Sequence, residues 1–278
     1  MNTISSSDFN YIRDLVRRHS AIALESDKAY LIETRLAPLA RLAGFASLQE
    51  LIASLRTQPP THPLYRQVVE ALATHETSFF RDLHPFDALR TVILPELLVK
   101  QRSSNLAIWC AACSSGQEPY SVAMLVCEYF PTLANRRMRI IATDLSETIL
   151  ARAREGLYSQ VEVNRGLPAV LLTKYFDKQG LHWRIKAEIR RMVEFQQNNL
   201  AESWPPMPPL DVAFMRNVLI YFDVNTKKAI LAKIRNVLKP DGYLFLGSSE
   251  TTLNLDTAFE SISMGKSVCY QLRQAKKL

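Results

Sequence analysis

The sequence predicts an α/β protein whose mainly parallel sheet is preceded by an all-helical segment. Three observations predict it. Leu106–Trp109 is an apolar run that reads as a buried strand, and Cys110–Gln117 is a small-residue loop with one glycine. Glu118 then opens an apolar-periodic helix that ends near Tyr129. Met138–Asp144 is a second strand with a carboxylate at its carboxyl end. Residues 1–75 show only helical periodicity. Strand, loop, helix and a second strand ending in a carboxylate make the first half of a nucleotide-binding fold, in which that carboxylate takes ribose hydroxyls.

In the helical segment, Ser5-x-x-Asp8 precedes Phe9, Ile12, Leu15 and Val16, which are spaced for one helical face. From Asp27 to Ala43 the positions Leu31, Ile32, Leu36, Leu39, Ala40 and Ala43 repeat at three and four, and Gly44 sits where a C-cap belongs. Ser47-x-x-Glu50 matches a capping box ahead of Leu51, Ile52 and Leu55. Pro59, Pro60 and Pro63 interrupt the chain before a helix over Leu64–Leu72. Lys28, Arg35 and Arg41 lie on the second helix, either as a solvated face or as a docking strip for a negatively charged partner. His75–Asp82 reads as a linker, and Leu83–Gln101 as a long helix kinked at Pro95.

Further along, Pro209–Arg216 is a third strand candidate and Asn225–Leu238 a helix with Ile230, Leu231, Ile234 and Leu238 on one face. Lys239-Pro-Asp-Gly242 carries turn chemistry. Tyr243–Leu246 and Ser267–Leu272 follow as strands. Strands alternating with helices predict a sheet covered on both faces. Between Gly166 and Asn198, Trp183, Ile185, Ala187 and Ile189 alternate with charged residues, and Met192, Val193 and Phe195 continue apolar. That period predicts a small antiparallel insert; a helix is the competing reading. Trp204–Pro209 reads as a rigid surface loop.

Composition narrows the function. At 278 residues and 47% hydrophobic content the chain can build one large core or two modest ones. Its eight glycines are under half the usual ~7%, so phosphate-cradling loops are scarce. MNTISSSDF lacks the basic and apolar segments of a signal peptide, no apolar run reaches membrane-spanning length, and four cysteines without framework spacing suit a reducing cytoplasm. The net charge of +7 suits an acidic protein surface as well as nucleic acid. No basic run with interleaved aromatics appears, so no nucleic-acid partner is expected. No metal is expected either: Cys110-x-x-Cys113 has no second pair, and the five histidines have no ligand spacing. There is no G-x-S-x-G elbow. The single-glycine loop Cys113–Glu118 departs from the G-x-G-x-x-G of dinucleotide sites, which favours a cofactor with ribose but no phosphate, such as S-adenosylmethionine.

Six blocks, in order, carry a resemblance: HETSFFRD at 75–82, WCAACSSGQEPYS at 109–121, ATDL at 142–145, NNL at 198–200, MRNVLIYFD at 215–223 and LKPDGYLFLGSSE at 238–250. Over essentially its whole length the chain resembles the chemotaxis receptor methyltransferases, the CheR family. The resemblance implies a class I S-adenosylmethionine-dependent methyltransferase with a Rossmann-like sheet. It implies a helical N-terminal domain over 1–75, a linker and connecting helix over 76–102, and a methyltransferase domain over 103–278 with the β insert at about 166–198. The implied reaction methylates glutamate carboxylates on the cytoplasmic helices of chemoreceptors and releases S-adenosylhomocysteine.

Carried over by position, the resemblance makes His75, Thr77, Arg81, Glu118, Asp144, Asn199, Leu200, Arg216 and Asn217 cofactor-binding, with Arg81 and Tyr221 beside the reacting methyl. The family has asparagine where this chain has His75. In the family the insert docks a peptide from the receptor C-terminus and the basic face of the helical domain meets the methylated region; the insert loop Asp177–Leu181 is shorter here. A cytoplasmic monomer that meets the membrane only through receptors is expected. A methyltransferase for another protein or for nucleic acid, or a silent adaptor, is the rival reading. Taken singly, Glu118 could serve the helix dipole, Arg216 and Asn217 could cap a strand end, and Tyr221 could be core.

Overall fold

The computed structural model describes residues 4–59, 61–100, 105–134 and 138–273. Pro60 and Gln101, named above as a chain break and a helix end, lie outside them. The chain divides into two compact units: one holds the described residues up to Thr74 together with Tyr221–Thr226, the other His75–Ile220 with Lys227 onward. Among the described residues no helix is long and apolar enough to cross a membrane.

The smaller unit contains α1 (Ser6–Ser20), α2 (Ala29–Leu42), α3 (Leu48–Thr57) and α4 (Pro63–Leu72). Most of the expected periodic positions form its core, with Ile12, Leu15, Val16, Ile32, Leu36, Leu51 and Val68 fully buried, whereas Leu31 and Leu39 are half-buried and Ala43 is exposed. Ser5 and Ser47 accept hydrogen bonds from Asp8 and Glu50 N–H at the starts of α1 and α3, both at 3.1 Å. Glu50 completes its half of the box one residue early, at Ala46 N–H. The Arg35 guanidinium donates to the carbonyls of Leu72 and Ala73 at 2.7 and 3.0 Å and so caps the end of α4. Residues 221–226 are stitched to this unit by an antiparallel bridge between Ile22 and Phe222 and an Arg17–Asp223 ion pair at 2.9 Å.

The larger unit runs α5 (His84–Ala88), α6 (Leu94–Lys100), β1 (Leu106–Ala111), α7 (Gln117–Tyr129), α8 (Pro131–Ala134), β2 (Met138–Asp144), α9 (Glu147–Glu155), β3 (Leu157–Ser159), α10 (Gln160–Asn164), α11 (Ala169–Tyr175), β4 (Phe176–Gln179), β5 (His182–Ile185), α12 (Ala187–Arg190), β6 (Val193–Gln197), β7 (Leu210–Met215), α13 (Val224–Val237, from Lys227 on in this unit), β8 (Leu238–Leu246), β9 (Phe259–Met264) and β10 (Ser267–Leu272). The main sheet has the order β6-β2-β1-β7-β8-β10-β9. The first five strands are parallel, and β10 and β9 are antiparallel additions. Chain order reverses at β1, between β2 and β7, so the carboxyl ends of β1, β2 and β7 frame the crevice where such folds bind ligands.

Four expectations are corrected. The insert is β3-β5-β4, spanning 157–185 rather than 166–198, and β6 belongs to the main sheet beside β2. Ala187–Arg190 is helical rather than extended; Ile185 and Ile189 are both fully buried, and a four-residue spacing satisfies either period. The long helix before β1 is broken by a π-helical stretch, Leu89–Ile93, in which Leu94 N–H donates to Leu89 five residues back. Pro95 has no N–H for the carbonyl of Thr91, and the widened turn relieves its ring. The expected turn at Lys239–Gly242 is a bulge inside β8: Leu238 pairs with Leu210, and Tyr243 with Val212.

Candidate active site at the carboxyl edge of the sheet

The loop leaving β1 turns sharply, with Ala112, Ser114 and Gly116 all at positive φ. A Cβ on Gly116 would lie 3.1 Å from both Ala153 and Tyr120 in addition to the strain of its φ, so only glycine suits the position. The tight loop aims Ser114 N–H at Asp144 Oδ2 (2.8 Å), while Ser146 N–H donates to Oδ1 (3.0 Å). Asp144 is buried at the end of β2 with these bonds holding its carboxylate fixed. Burial pushes its carboxyl above the ordinary range, against the pull of the Ser146 and Ser114 N–H groups and of His75. Both oxygens keep lone-pair capacity for O–H donors, which fits the vicinal hydroxyls of a ribose. Ser114 Oγ donates to the carbonyl of His75 at 2.8 Å, tying the linker to this loop.

Arg216, one residue past β7, is the hub of the second cluster. Its side chain is 1% exposed and donates to Glu118 (3.0 Å), to Asp82 (2.6 Å) and to the carbonyl of Arg81 (3.0 Å). Its Nε–H is buried and has no hydrogen-bond partner among the described residues. Burial raises the pKa of Glu118, and the Arg216 charge pulls it back down. The segment held by Arg216 is strained: Phe80, Asp82 and Leu83 have positive φ. Phe80 N–H is anchored on Ser121 of α7 at 2.9 Å, and the buried Phe79 ring packs edge-on to Tyr158. Arg81 itself donates to the carbonyl of Glu76 at 3.1 Å. The adjacent phenylalanines of the linker are thus the anchors that carry Arg81 and Asp82 to the sheet edge.

Asn217 also sits at positive φ. Glu250 collects three N–H groups around it: Asn217 (2.8 Å), Gly247 (2.6 Å) and Ile220 (3.2 Å). A Cβ on Gly247 would sit 2.8 Å from both Asn217 N and Glu250 Oε2. A cavity of about 320 Å³ opens beside this clamp, lined in part by Asp82, His84, Arg216, Glu250 and Lys266. Beyond β6, Asn199 Oδ1 accepts from Ala201 N–H at 3.1 Å and Leu200 is buried. Thr77 lies half-buried in the linker. Nine of the expected residues therefore belong to the larger unit. The tenth, Tyr221, closes a single 3-10 turn (Leu219–Tyr221) and groups with the helical unit, where its carbonyl accepts from Ala23 N–H at 2.8 Å.

Asp82 and Glu250 have no role in the sequence reading, although both fall inside its matching blocks. Their signal was a carboxylate one residue after Arg81 and another after the glycine that ends β8. Cys110 and Cys113 are buried free thiols, and burial pushes both well above the ordinary thiol range.

Comparison with known proteins gives the family. The model described as CheR methyltransferase, SAM binding domain, matches residues 75–268, and that of the CheR all-alpha domain matches residues 7–73. Chemotaxis protein methyltransferase 1 of Pseudomonas aeruginosa is 40% identical over 273 residues, covering 97% of this chain and 99% of the relative. Chemotaxis protein methyltransferase Cher2 of Pseudomonas putida is 40% identical over 270 residues, covering 96% and 98%. The chemotaxis protein methyltransferase of Vibrio parahaemolyticus is 34% identical over 279 residues, covering 98% of each. Asp144 with its ribose-compatible acceptors, the single-glycine loop and the Arg216 hub all lie inside the matched S-adenosylmethionine-binding domain, and the chain belongs to the CheR family of S-adenosylmethionine-dependent methyltransferases.

Proposed function

We propose that the chain methylates glutamate side chains on the cytoplasmic helices of chemoreceptors, forming glutamate methyl esters for chemotactic adaptation. The observation that carries this reading is the two-domain match to chemotaxis protein methyltransferases along nearly the full chain. The residue chemistry supports it. A glutamate with an ordinary pKa of about 4.3 is already a nucleophile at neutral pH, so no general base is required. S-adenosylmethionine, when bound, supplies a methyl group activated by its sulfonium.

On this reading Asp144 accepts the ribose hydroxyls, and Asn199 and Leu200 flank the adenine. His75, Thr77, Glu118, Arg216 and Asn217 line the rest of the cofactor site. Arg81 orients the incoming carboxylate and Tyr221 positions it. Positive and negative charges annul one another as the reaction proceeds, so alignment in a dry crevice does most of the work. The chain acts as a cytoplasmic monomer and meets the membrane only through its receptors. The test is transfer of labelled methyl groups to receptor cytoplasmic fragments, followed by peptide mapping. Base-labile label on glutamate is expected; label confined to nucleic acid or to other residue types overturns the reading.

A further inference from the structure

The turn that follows β6 is held by a side chain outside every block that carries cofactor chemistry. Glu202 N–H donates to the carbonyl of Asn199 at 3.1 Å, closing the turn, and the carbonyls of Leu200 and Glu202 both receive Lys233 of α13. The Lys233 ammonium donates to them at 2.5 and 2.7 Å. Its remaining side faces the Trp204 ring, with Nζ 4.9 Å from the ring centre. Trp204 Nε1–H donates to the same Leu200 carbonyl at 3.2 Å. The Trp204 ring meets Trp109 of β1 edge-on at 4.9 Å, and Trp109 Nε1–H donates to Thr143 of β2 at 3.0 Å. One ammonium thus closes a chain of contacts that runs from two central strands, through two indoles, to the turn.

The arrangement is costly. Burial depresses the Lys233 pKa below the ordinary lysine range, and the Glu202 charge only partly offsets this. An ammonium has three donors and a compact charge, and here carbonyls and an aromatic face surround it. Such a group fixes two carbonyls at one distance from α13. The bonds made by a charged donor are also the strong ones.

We propose that Lys233 is a positioning residue for the cofactor: it locks the Asn199–Glu202 turn in the conformation that presents Asn199 and Leu200 to the adenine. The proposal rests on the reading above, in which those two residues flank that ring. Lys233 itself touches neither cofactor nor acceptor; its effect passes through the backbone of the turn. Trp204 is the second half of the latch.

The test compares Lys233→Met, which keeps the apolar stem and loses the cation, with Lys233→Arg, which keeps the cation. Calorimetric Kd for S-adenosylhomocysteine and steady-state kcat and KM for S-adenosylmethionine are read on the full chain. Lys233→Met should raise Kd and KM about tenfold with kcat within about twofold, and Lys233→Arg should recover most of the loss. Trp204→Phe, which removes the indole donor and trims the ring while leaving an aromatic face, should raise Kd by a smaller factor of about three. It carries the test if Lys233→Met fails to fold. Unchanged Kd in Lys233→Met or in Trp204→Phe, or a fall in kcat at constant KM, overturns the latch. Asn199→Ala and Asp144→Ala run alongside: if they too leave Kd unchanged, the placement of the cofactor fails, whereas a silent Lys233→Met beside two weakened controls sinks the latch alone.

Discussion

Arg216 and Glu118 are paired at 3.0 Å across the crevice between β7 and the first turn of α7, with the arginine side chain almost wholly buried. Asp82 closes the same guanidinium from the strained linker at 2.6 Å. Removing the cation leaves a buried carboxylate and a partly exposed one without their partner. Arg216→Met is therefore expected to cost about 3 kcal/mol of stability, the low end for breaking a buried pair because Asp82 faces solvent. Arg216→Lys should recover only part, since one ammonium cannot reproduce a planar fork shared among Glu118, Asp82 and the Arg81 carbonyl. Urea denaturation of the three proteins checks the order.

Asp144 offers a sharper chemical test. Both of its oxygens accept backbone N–H groups, from Ser114 and Ser146. Asp144→Asn is nearly isosteric, yet whichever way the amide lies, its NH₂ faces an N–H donor. We expect a loss of about 1–3 kcal/mol in the free protein and a fall in cofactor affinity of at least about tenfold. Melting curves and calorimetry read the two effects separately. Unchanged affinity would remove Asp144 from the cofactor site.

Why some of this was legible and some not follows from range. The Leu106–Tyr120 unit, the Asp144 strand end and the helical caps at Ser5 and Ser47 are local patterns, and each formed where the residue chemistry placed it. The β insert was legible as antiparallel but not in its bounds, because β3 is three residues long and pairs with a strand 25 positions later. Arg35 read as a surface charge because its acceptors, the carbonyls at 72 and 73, belong to another helix. Asp82, Glu250 and Lys233 escaped for the same reason. Asp82 and Lys233 have partners 134 and 33 residues away, and of the three N–H groups on Glu250 only that of Gly247 is near in sequence, the other two lying 33 and 30 residues away. Tyr221 was placed by block order alone, and no periodicity marks its grouping with the helical unit.

Acid should act oppositely on binding and on stability. Burial raises the carboxyls of both Asp144 and Glu118 in the folded protein. A carboxyl raised on folding carries a cost that is fully present above its folded pKa and is relieved as pH falls through that value towards the unfolded one, near 4. As pH falls, these two groups therefore do not lower the stability of the free protein. Cofactor affinity, which needs the Asp144 carboxylate as acceptor, should fall as pH drops through the raised value of that carboxyl. Calorimetric Kd at steps between pH 7.5 and 5, beside denaturation at the same steps, checks this; pH-independent affinity refutes it.

Tyr221 is expected to affect turnover rather than cofactor capture. Tyr221→Phe removes one hydroxyl and leaves the ring, so kcat should fall about tenfold or more while Kd for S-adenosylhomocysteine stays within about twofold. Single-turnover methyl transfer reads the first and calorimetry the second. An undiminished rate would take the hydroxyl out of the mechanism.

Gly247 tests the clamp on Asn217 without touching a charged group. It sits where β8 leaves the sheet, and its N–H donates to Glu250 at 2.6 Å, beside the Asn217 N–H on the same oxygen. Gly247→Ala would put a methyl 2.8 Å from Asn217 N and 2.8 Å from Glu250 Oε2, and 2.7 Å from Asn217 Nδ2. The amide end could swing aside, but the backbone N and the carboxylate bound to three N–H groups cannot. Asn217 is also at positive φ, so relaxation there starts from a strained position. The expected result is a loss of about 1–3 kcal/mol, as for other overpacked sites, together with weaker cofactor binding because Arg216 and Asn217 are adjacent in the chain. Gly265→Ala is the control: unlike Gly247 it has positive φ, but nothing lies within 4 Å of the added methyl, so it should lose stability through backbone strain while leaving cofactor affinity as it was. Equal affinity in the two variants would show that the clamp does not support the site.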